Sequence, residues 1–253
     1  MEIRDWRLES RKLSRLSALQ SPLSNLRSPI SALQSPLSNL PLQSPISSMF
    51  ITLEGPEGSG KTSHVPLLRD YLLETGHTVF CTREPGGTSI GDQVREILLA
   101  NRNTEMHPRT EILLFQASRA QLVEQVILPR LDRGEVVLCD RYADSTIAYQ
   151  GYGHRVDLKQ LRAIVDFATG GLKPDLSLLL DVDVEVGLKR RQKDGDVNRL
   201  DALALEFHRR VRAGYHELAK AEPDRWVVID ANQSFEQVQR DLRSTILARL
   251  CGG

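Results

Sequence analysis

The stretch MFITLEGPEGSGKT, residues 49–62, decides the fold of this chain. Its apolar run Phe50-Ile51-Thr52-Leu53 predicts a buried strand, and the loop GPEGSGKT at residues 55–62 matches the pattern GxxxxGK[ST] in full. A helical apolar pattern follows, carried by Leu67, Leu68, Tyr71 and Leu72. A strand, a glycine-rich loop and a helix in this order predict a P-loop, which binds the phosphates of a nucleoside triphosphate.

The loop residues suit phosphate binding for separate reasons. Gly55, Gly58 and Gly60 let the backbone turn so that successive N–H groups face a phosphate at the start of a helix. Lys61 can reach the β- and γ-phosphates, and Thr62 can offer its hydroxyl to Mg²⁺. The predicted ATP-binding residues are therefore Gly55, Pro56, Glu57, Gly58, Ser59, Gly60, Lys61 and Thr62.

Further strands and helices alternate along the chain. The other strand candidates are 78–82, 136–139, 176–180 and 226–229, and helical stretches separate them. Alternation of this kind requires crossover connections, so the sheet is expected to be mostly parallel with helices on both faces. The fold class is predicted to be α/β, a three-layer α/β/α P-loop NTPase with a central, mostly parallel five-stranded sheet. Ligands then belong beyond the carboxyl ends of the strands.

The amino-terminal segment differs in composition from the rest of the chain. The decapeptide SALQSPLSNL occurs at residues 17–26 and again at 31–40, in a stretch rich in Ser, Leu, Pro and Gln. Its short period and recurring prolines argue against a helical repeat, and few bulky side chains are available for a core. We expect residues 1–48 to be a disordered low-complexity tail and residues 49–253 to form the P-loop domain. A targeting or partner-binding arm and a dispensable extension are both compatible with this segment.

Composition excludes several classes of protein. Thirty-three basic residues balance thirty-three acidic ones in the 253-residue chain, so no global charge predicts a nucleic acid or a membrane as partner. No apolar run approaches the roughly 20 residues that cross a bilayer. Cys81, Cys139 and Cys251 are far apart and form no CxxC pair, which favours a reducing compartment such as the cytoplasm.

A second motif indicates an acceptor site. The predicted strand VVLCDR, residues 136–141, places Asp140 and Arg141 at the sheet edge near the P-loop. Asp140 there can organise the hydration of a metal ion, and the planar guanidinium of Arg141 suits a phosphate, although a surface ion pair is the alternative for that arginine. The chain has no NKxD tetrapeptide, which argues against a GTPase.

From Met49 onward the sequence resembles the bacterial thymidylate kinase family. The motifs that carry the resemblance are GPEGSGKT, REPGGTSIGDQVR at 83–95, LLFQASRAQ at 113–121, DRYADSTIAYQG at 140–151 and the arginine-bearing stretch 189–199. P-loops occur in many families, whereas REPGGT together with DRY…DST..YQG is specific. The resemblance implies that ATP phosphorylates dTMP to dTDP with Mg²⁺ as cofactor, Thr62 and Asp140 being the metal-side residues.

The resemblance also implies roles in a dTMP site. Arg95 and Arg141 would hold the acceptor phosphate, Phe115 would stack on thymine and Arg119 would bond the edge of the base. Phe115 and Arg119 lie four residues apart on a predicted helix and so share a face. Without the resemblance, Phe115 beside two leucines indicates ordinary packing. Arg83 is a weaker candidate, because it can equally hold its own loop.

Other implied contacts surround the sugar and the base. Ser145, Thr146 and Tyr149 would line the deoxynucleoside, with the ring of Tyr149 excluding a 2′-hydroxyl by steric clash. Gln150 would face the base, or simply begin a turn. Glu57 would accept the 3′-hydroxyl of the sugar.

The basic stretch 189–199 is expected to be a mobile lid that supplies arginines to the phosphates. The family pattern GxxDRxE appears here as GDVNRLD, residues 195–201, and this departure leaves the choice of arginine open. We expect Arg199 and Arg190 to fill the role, with Lys61, Arg95 and Arg141 as the other catalytic groups. For any one of these arginines, a solvated helix end is the alternative.

Two other functions remain open from the sequence: another P-loop deoxynucleoside or nucleoside monophosphate kinase, and a non-catalytic nucleotide-binding protein. The family resemblance further implies a homodimer, and the predicted apolar helix 105–131 is compatible with that.

Overall fold

The computed structural model describes residues 48–193, 195 and 198–251. The tail predicted for residues 1–48 lies outside these residues except for Ser48. Asp194, Asp196 and Val197 of the predicted lid lie outside them as well.

The described residues form a fully parallel sheet of five strands in the order β2-β3-β1-β4-β5. The strands are β1 (Met49–Glu54), β2 (Val79–Arg83), β3 (Val136–Asp140), β4 (Leu176–Asp181) and β5 (Trp226–Asp230). The central strand β1 pairs with β3 on one side and β4 on the other. The prediction of a mostly parallel five-stranded sheet is confirmed, and each strand lies within two residues of its predicted position.

Helices connect the strands and cover the sheet. They are α1 (Lys61–Glu74), α2 (Ser89–Leu99), α3 (Pro108–Leu122), α4 (Leu128–Leu131), α5 (Ala143–Thr146), α6 (Leu158–Thr169), α7 (Val184–Lys193), α8 (Leu205–Ala221) and α9 (Phe235–Cys251). A π-helical segment, Val123–Ile127, joins α3 to α4, and a second, Ile147–Gly153, extends α5. The helix predicted for 105–131 therefore begins at Pro108, because proline fits the first helical position and the His107 side chain accepts the Arg109 amide at 3.2 Å.

Alternate side chains of β1 enter different layers of the core. Ile51 and Leu53 pack with Leu68 of α1 and Leu242 of α9, whereas Phe50 packs with residues of α3 and the following π-helical segment on the other face. Both faces of β1 are buried, since successive side chains point to opposite sides of the sheet. The three-layer α/β/α arrangement follows from this packing.

The parallel strands bring their carboxyl ends to one edge of the sheet. At that edge β1 ends at Glu54 just before the P-loop, β2 ends at Arg83 and β3 ends at Asp140. The described part of the chain contains no helix that is both long and apolar enough to cross a membrane.

Candidate active site

A cavity of about 420 Å³ opens at the carboxyl edge of the sheet. The P-loop, the ends of β2 and β3, helix α3 and the π-helical segment after α5 contribute its walls. A volume in this range suits a small-molecule ligand. Most of the predicted site residues reach this cavity: Glu57, Gly58, Ser59, Gly60, Lys61, Thr62, Arg95, Phe115, Arg119, Asp140, Arg141, Ser145, Thr146, Tyr149 and Gln150.

The P-loop glycines are required by their surroundings. Gly58 has φ 67°, and a Cβ atom there would lie 2.0 Å from the carbonyl oxygen of Gly187 in α7. Gly55 has φ 143°, and a Cβ atom there would lie 2.4 Å from the carbonyl oxygen of Leu180. The loop thus approaches β4 and α7 more closely than a side chain permits.

Lys61 points its ammonium group into the P-loop. Its Nζ donates to the carbonyl oxygens of Gly55 at 3.0 Å and Pro56 at 2.8 Å, and to Ser59 Oγ at 2.9 Å. Burial and the nearby Arg141 guanidinium lower the pKa of Lys61 to about 8. Among the residues that the structure describes, the ammonium donates to neutral oxygens only, and a buried cation of this kind favours an incoming anion.

Thr62 and Asp140 meet at the cavity wall. Thr62 Oγ1 donates to Asp140 Oδ2 at 2.5 Å, which joins the start of α1 to the end of β3. Both are hard oxygen donors, the type that Mg²⁺ prefers, and such a metal takes one or two protein groups together with substrate phosphates. The pair therefore fits the predicted metal position.

Arg141 is fixed by hydrogen bonds from both ends of its guanidinium group. Nη1 donates to the Gly55 carbonyl at 3.0 Å, to Tyr215 Oη at 3.1 Å and to Ser145 Oγ at 3.3 Å. Nη2 donates to Glu57 Oε1 at 2.8 Å and to Tyr149 Oη at 3.0 Å. The backbone of Arg141 adopts φ 69°, an uncommon conformation for a residue with a side chain. The five hydrogen-bond partners therefore fix the position of the Arg141 guanidinium.

Glu57 lies between Arg141 and Tyr149. Its Oε1 accepts from Arg141 and, at 2.7 Å, from the hydroxyl of Tyr149. Burial opposes ionisation of this carboxyl group, but Arg141 and Lys61 outweigh burial and lower its pKa to about 2. An acidic residue in a phosphate-binding loop is thus compensated by two neighbouring cations.

Arg95 and Arg83 extend the positive wall of the cavity. Arg95, in α2, donates from Nη1 to the Pro85 carbonyl at 2.9 Å, and the Glu84–Pro85 peptide bond is cis. Burial, followed by the repulsion of Arg83, lowers the pKa of Arg95. Cations that repel one another in this way favour an anion between them.

Arg119 is almost fully buried, with 1% of its surface exposed. It donates from Nε to Glu84 Oε2 at 2.8 Å and from Nη1 to Gln116 Oε1 at 2.6 Å and Thr146 Oγ1 at 3.0 Å. Its Nη2 lies 2.6 Å from the same Glu84 oxygen and donates to the Tyr142 carbonyl at 3.1 Å. These partners account for all five guanidinium hydrogens. A base edge can bond Arg119 only by replacing one of them.

The residues on the base side of the cavity form two hydrogen-bonded groups. Thr146 Oγ1 accepts from Arg119 and also from Gln116 Nε2 at 3.3 Å, and Gln150 Nε2 donates to Glu111 Oε1 at 2.8 Å. Phe115 lines the same cavity from α3. The four residues after β3 that were expected around a nucleoside, Ser145, Thr146, Tyr149 and Gln150, all lie at the cavity wall.

The two expected lid arginines do not line this cavity. Arg190 donates from Nη1 to the Ala231 carbonyl at 3.0 Å, beyond β5. Arg199 donates to the Leu98 carbonyl at 3.2 Å and to Glu111 Oε2, which holds it against α2 and α3. Arg191 lines the cavity instead, and its Nε contacts Asp201 Oδ2 at 3.1 Å. Because α7 continues to Lys193, adjacent arginines on it face directions about 100° apart.

Sequence reasoning missed two residues beneath the cavity. Glu54, the last residue of β1, is fully buried, and Tyr215 of α8 contacts it at 3.1 Å. An acidic residue at the end of an otherwise apolar strand was the available signal for Glu54. Tyr215 carries no comparable local signal, since 161 positions separate it from Glu54.

Comparisons with known proteins agree on one family. The profile described as thymidylate kinase matches residues 53–242. The thymidylate kinase of Roseiflexus sp. (strain RS-1) is 50% identical over 211 residues, covering 79% of this chain and 93% of that protein. The thymidylate kinase of Deinococcus radiodurans is 49% identical over 201 residues, covering 79% and 97%. The crystal structure of thymidylate kinase from Ehrlichia chaffeensis has a TM-score of 0.65 and 35% identity, covering 79% of this chain and 99% of that chain.

Proposed function

We infer that this chain, which belongs to the thymidylate kinase family and phosphorylates dTMP to dTDP with ATP, transfers the phosphoryl group across the cavity at the sheet edge. One observation carries the arrangement: Lys61 Nζ and Arg141 Nη1 donate to the same oxygen, the Gly55 carbonyl, each at 3.0 Å. The cations proposed for the donor and acceptor phosphates therefore stand next to each other. Transfer requires that proximity, because the two phosphates must meet in line.

On the donor side, the P-loop N–H groups and Lys61 would hold the β- and γ-phosphates of ATP. The ammonium would exchange its carbonyl contacts for phosphate oxygens, which are stronger acceptors because they are charged. Mg²⁺, held by Thr62 and the carboxylate of Asp140 together with phosphate oxygens, would supply charge neutralisation when bound.

On the acceptor side, Arg95 and Arg141 would hold the phosphate of dTMP. An oxygen of that phosphate attacks the γ-phosphorus, the bond from the γ-phosphorus to the ADP oxygen breaks, and dTDP and ADP form. The attacking group is already an anion at neutral pH, so no side chain is needed to remove a proton. The work of these residues is positioning and charge stabilisation.

The nucleoside would lie deeper in the same cavity. Phe115 would stack on thymine, and Thr146 with Gln150 would face its edge, while Arg119 can join only by releasing a present partner. Tyr149, already fixed by its bond to Glu57, would exclude a 2′-hydroxyl. Within the described residues, both hydrogen bonds of Glu57 use Oε1, and Oε2 would accept the sugar 3′-hydroxyl.

The lid would be residues 189–199, with Arg191 as the first candidate for a phosphate contact because it lines the cavity. Arg190 and Arg199 would contribute only after leaving their contacts with Ala231 and Glu111. Exclusion of water by such a closure would prevent hydrolysis of ATP.

A homodimer is proposed on the face formed by α2, α3 and α6. Large apolar side chains are exposed there: Ile90, Ile97, Leu113, Ile164 and Phe167, of which Phe167 is 90% exposed. Such a patch on adjacent helices is typical of a protein interface. Light scattering should give a dimer mass that Leu113→Glu together with Phe167→Glu converts to a monomer mass.

The cytoplasm is the proposed location, from the free cysteines. We also propose that residues 49–253 form the active unit and that residues 1–48 take no part in the chemistry. Expression of 49–253 alone should give unchanged turnover, and lost activity would contradict this boundary.

A coupled ADP-release assay with dTMP, dUMP and thymidine tests the function. We expect turnover with dTMP to exceed turnover with thymidine by orders of magnitude, since only dTMP brings a phosphate to Arg95 and Arg141. Arg141→Ala should abolish turnover while ATP binding is retained. Preferred phosphorylation of thymidine would indicate a nucleoside kinase, and ATP binding without turnover would indicate a non-catalytic nucleotide-binding protein.

A further inference from the structure

A buried carboxyl group, that of Glu54, lies one hydroxyl layer away from the guanidinium group of Arg141. Glu54 is fully buried at the end of β1, and it does not reach the cavity wall. Its Oε1 accepts the backbone N–H of Tyr142 at 2.8 Å. Its Oε2 accepts from Ser145 Oγ at 2.6 Å and from Tyr215 Oη at 3.1 Å.

The two hydroxyl groups connect Glu54 to Arg141. Ser145 Oγ and Tyr215 Oη lie 2.7 Å apart, and both accept from Arg141 Nη1. Both hydroxyl groups donate to Glu54 Oε2. This drives the hydroxyl hydrogens toward Glu54 and turns the oxygen lone pairs toward Arg141.

Glu54 also restrains the backbone of Arg141. The Arg141 N–H donates to the Leu53 carbonyl at 3.0 Å, and the next N–H, of Tyr142, donates to Glu54. Arg141 lies between these two bonds with φ 69°. A conformation of this kind persists only where the surroundings specify it.

Burial of Glu54 has a cost that its partners offset only in part. Burial and the nearby Asp144 raise its pKa, whereas Ser145 and Arg141 lower it. A buried carboxyl group with three donors and no contact with the cavity is a costly feature that packing alone does not require.

We propose that Glu54 is a positioning residue for the reaction: it fixes the backbone and, through Ser145 and Tyr215, the guanidinium of Arg141 for the phosphate of dTMP. The inference rests on the proposed role of Arg141 in holding that phosphate. Because Glu54 does not line the cavity, it would touch neither substrate.

Glu54→Gln separates this role from packing, because the amide has nearly the shape of the carboxylate. The NH₂ group of the glutamine can replace either Oε1, where it would face the Tyr142 N–H, or Oε2, where it would face the two hydroxyl groups. In the first case the backbone of Arg141 is disturbed, and in the second the hydroxyl hydrogens turn toward the guanidinium. Tyr215→Phe is the milder variant, since it removes one of the two hydroxyl groups.

The experiment measures the dissociation constants of dTMP and thymidine by calorimetry, with thermal melts to establish folding. We expect Glu54→Gln to raise the dissociation constant of dTMP about tenfold or more, and Tyr215→Phe to raise it about threefold to tenfold. The dissociation constant of thymidine should stay within about twofold of the wild-type value in both variants. Glu135→Gln is the matched control, a buried glutamate bonded to Arg130 and Arg133 at the opposite edge of the sheet, and should change neither constant.

Arg141→Ala distinguishes failure of this inference from failure of the proposed function. If Arg141→Ala weakens the binding of dTMP more than that of thymidine, but Glu54→Gln and Tyr215→Phe bind dTMP as wild type does, the positioning role is wrong. If Glu54→Gln weakens the binding of dTMP and of thymidine equally, Glu54 has a structural role only, and the positioning role is again wrong. If Arg141→Ala binds dTMP normally, the acceptor assignment itself is wrong. Should Glu54→Gln fail to fold, Tyr215→Phe decides.

Discussion

The ion pair between Arg199 and Glu111 holds the end of the basic stretch 189–199 against the body of the domain. Glu111 is 1% exposed in the first turn of α3. It accepts from Arg199 Nη2 and Gln150 Nε2, and its Oε1 lies 3.5 Å from His154 Nε2. Burial opposes ionisation of Glu111, but these three partners outweigh it and lower its pKa to about 2.

The magnitude of this contribution follows from the pKa. A carboxyl pKa that falls from 4.5 when unfolded to about 2 when folded corresponds to about 3 kcal/mol of folding free energy at neutral pH. Because the folded pKa is the lower one, the contribution is complete above pH 4.5 and is lost as pH falls from 4.5 toward 2. Removing one partner of a buried pair costs a similar amount, roughly 3–5 kcal/mol.

Urea unfolding of Glu111→Gln, Arg199→Met and the double variant tests this reasoning. Each single variant should lose about 3 kcal/mol at pH 7, and the double variant should lose about 2 kcal/mol less than their sum. The penalty of Glu111→Gln should shrink by about 1 kcal/mol at pH 3.5. Arg209→Met, which breaks two exposed ion pairs, with Glu185 and Glu206, is the control and should cost under about 1 kcal/mol. Additive losses, or a penalty that does not change with pH, would refute the assignment.

Three further variants test individual site residues. Lys61→Met should lower kcat at least about 100-fold in the coupled assay while Tm does not fall, because burial lowers the pKa of this lysine and its charge therefore opposes folding; a lower Tm would contradict this. Glu57→Gln should raise KM for dTMP about tenfold and leave the dissociation constant of ATP unchanged, since it weakens one of the two hydrogen bonds of Arg141 Nη2; equal effects on both substrates would count against it. Arg191→Ala should reduce turnover about tenfold more than Arg190→Ala, because only Arg191 lines the cavity; the reverse order would restore Arg190 as the lid arginine.

The sheet was predictable because its strands carry a strong local signal. Each is a short apolar run next to a glycine-rich or polar stretch, and the loop at residues 55–62 fixes both the strand before it and the helix after it. The start of α3 was less predictable, since the proline preference for the first helical position competes with an apolar pattern that allows an earlier start. Boundaries of this kind depend on capping contacts rather than on periodicity.

Side-chain partners over long separations were not predictable. The acceptors around Arg119 include Glu84 and Thr146, which are far from it in sequence, so its burial could not be inferred from α3 alone. Which lid arginine faces the cavity depends on the helical phase of α7, because adjacent residues of a helix point about 100° apart. The motif at residues 195–201 also departs from the family pattern, so the pattern does not identify which arginine contacts the phosphates.

The central claim is that the phosphate-binding groups around Lys61 and around Arg141 face each other within one cavity. Calorimetric titration with an analogue that joins adenosine to thymidine through phosphates tests it most directly. We expect one analogue per chain, binding at least about 100-fold tighter than dTMP, displaced by either ATP or dTMP and weakened by both Lys61→Met and Arg141→Ala. Binding no tighter than dTMP, or displacement by only one substrate, would contradict the claim.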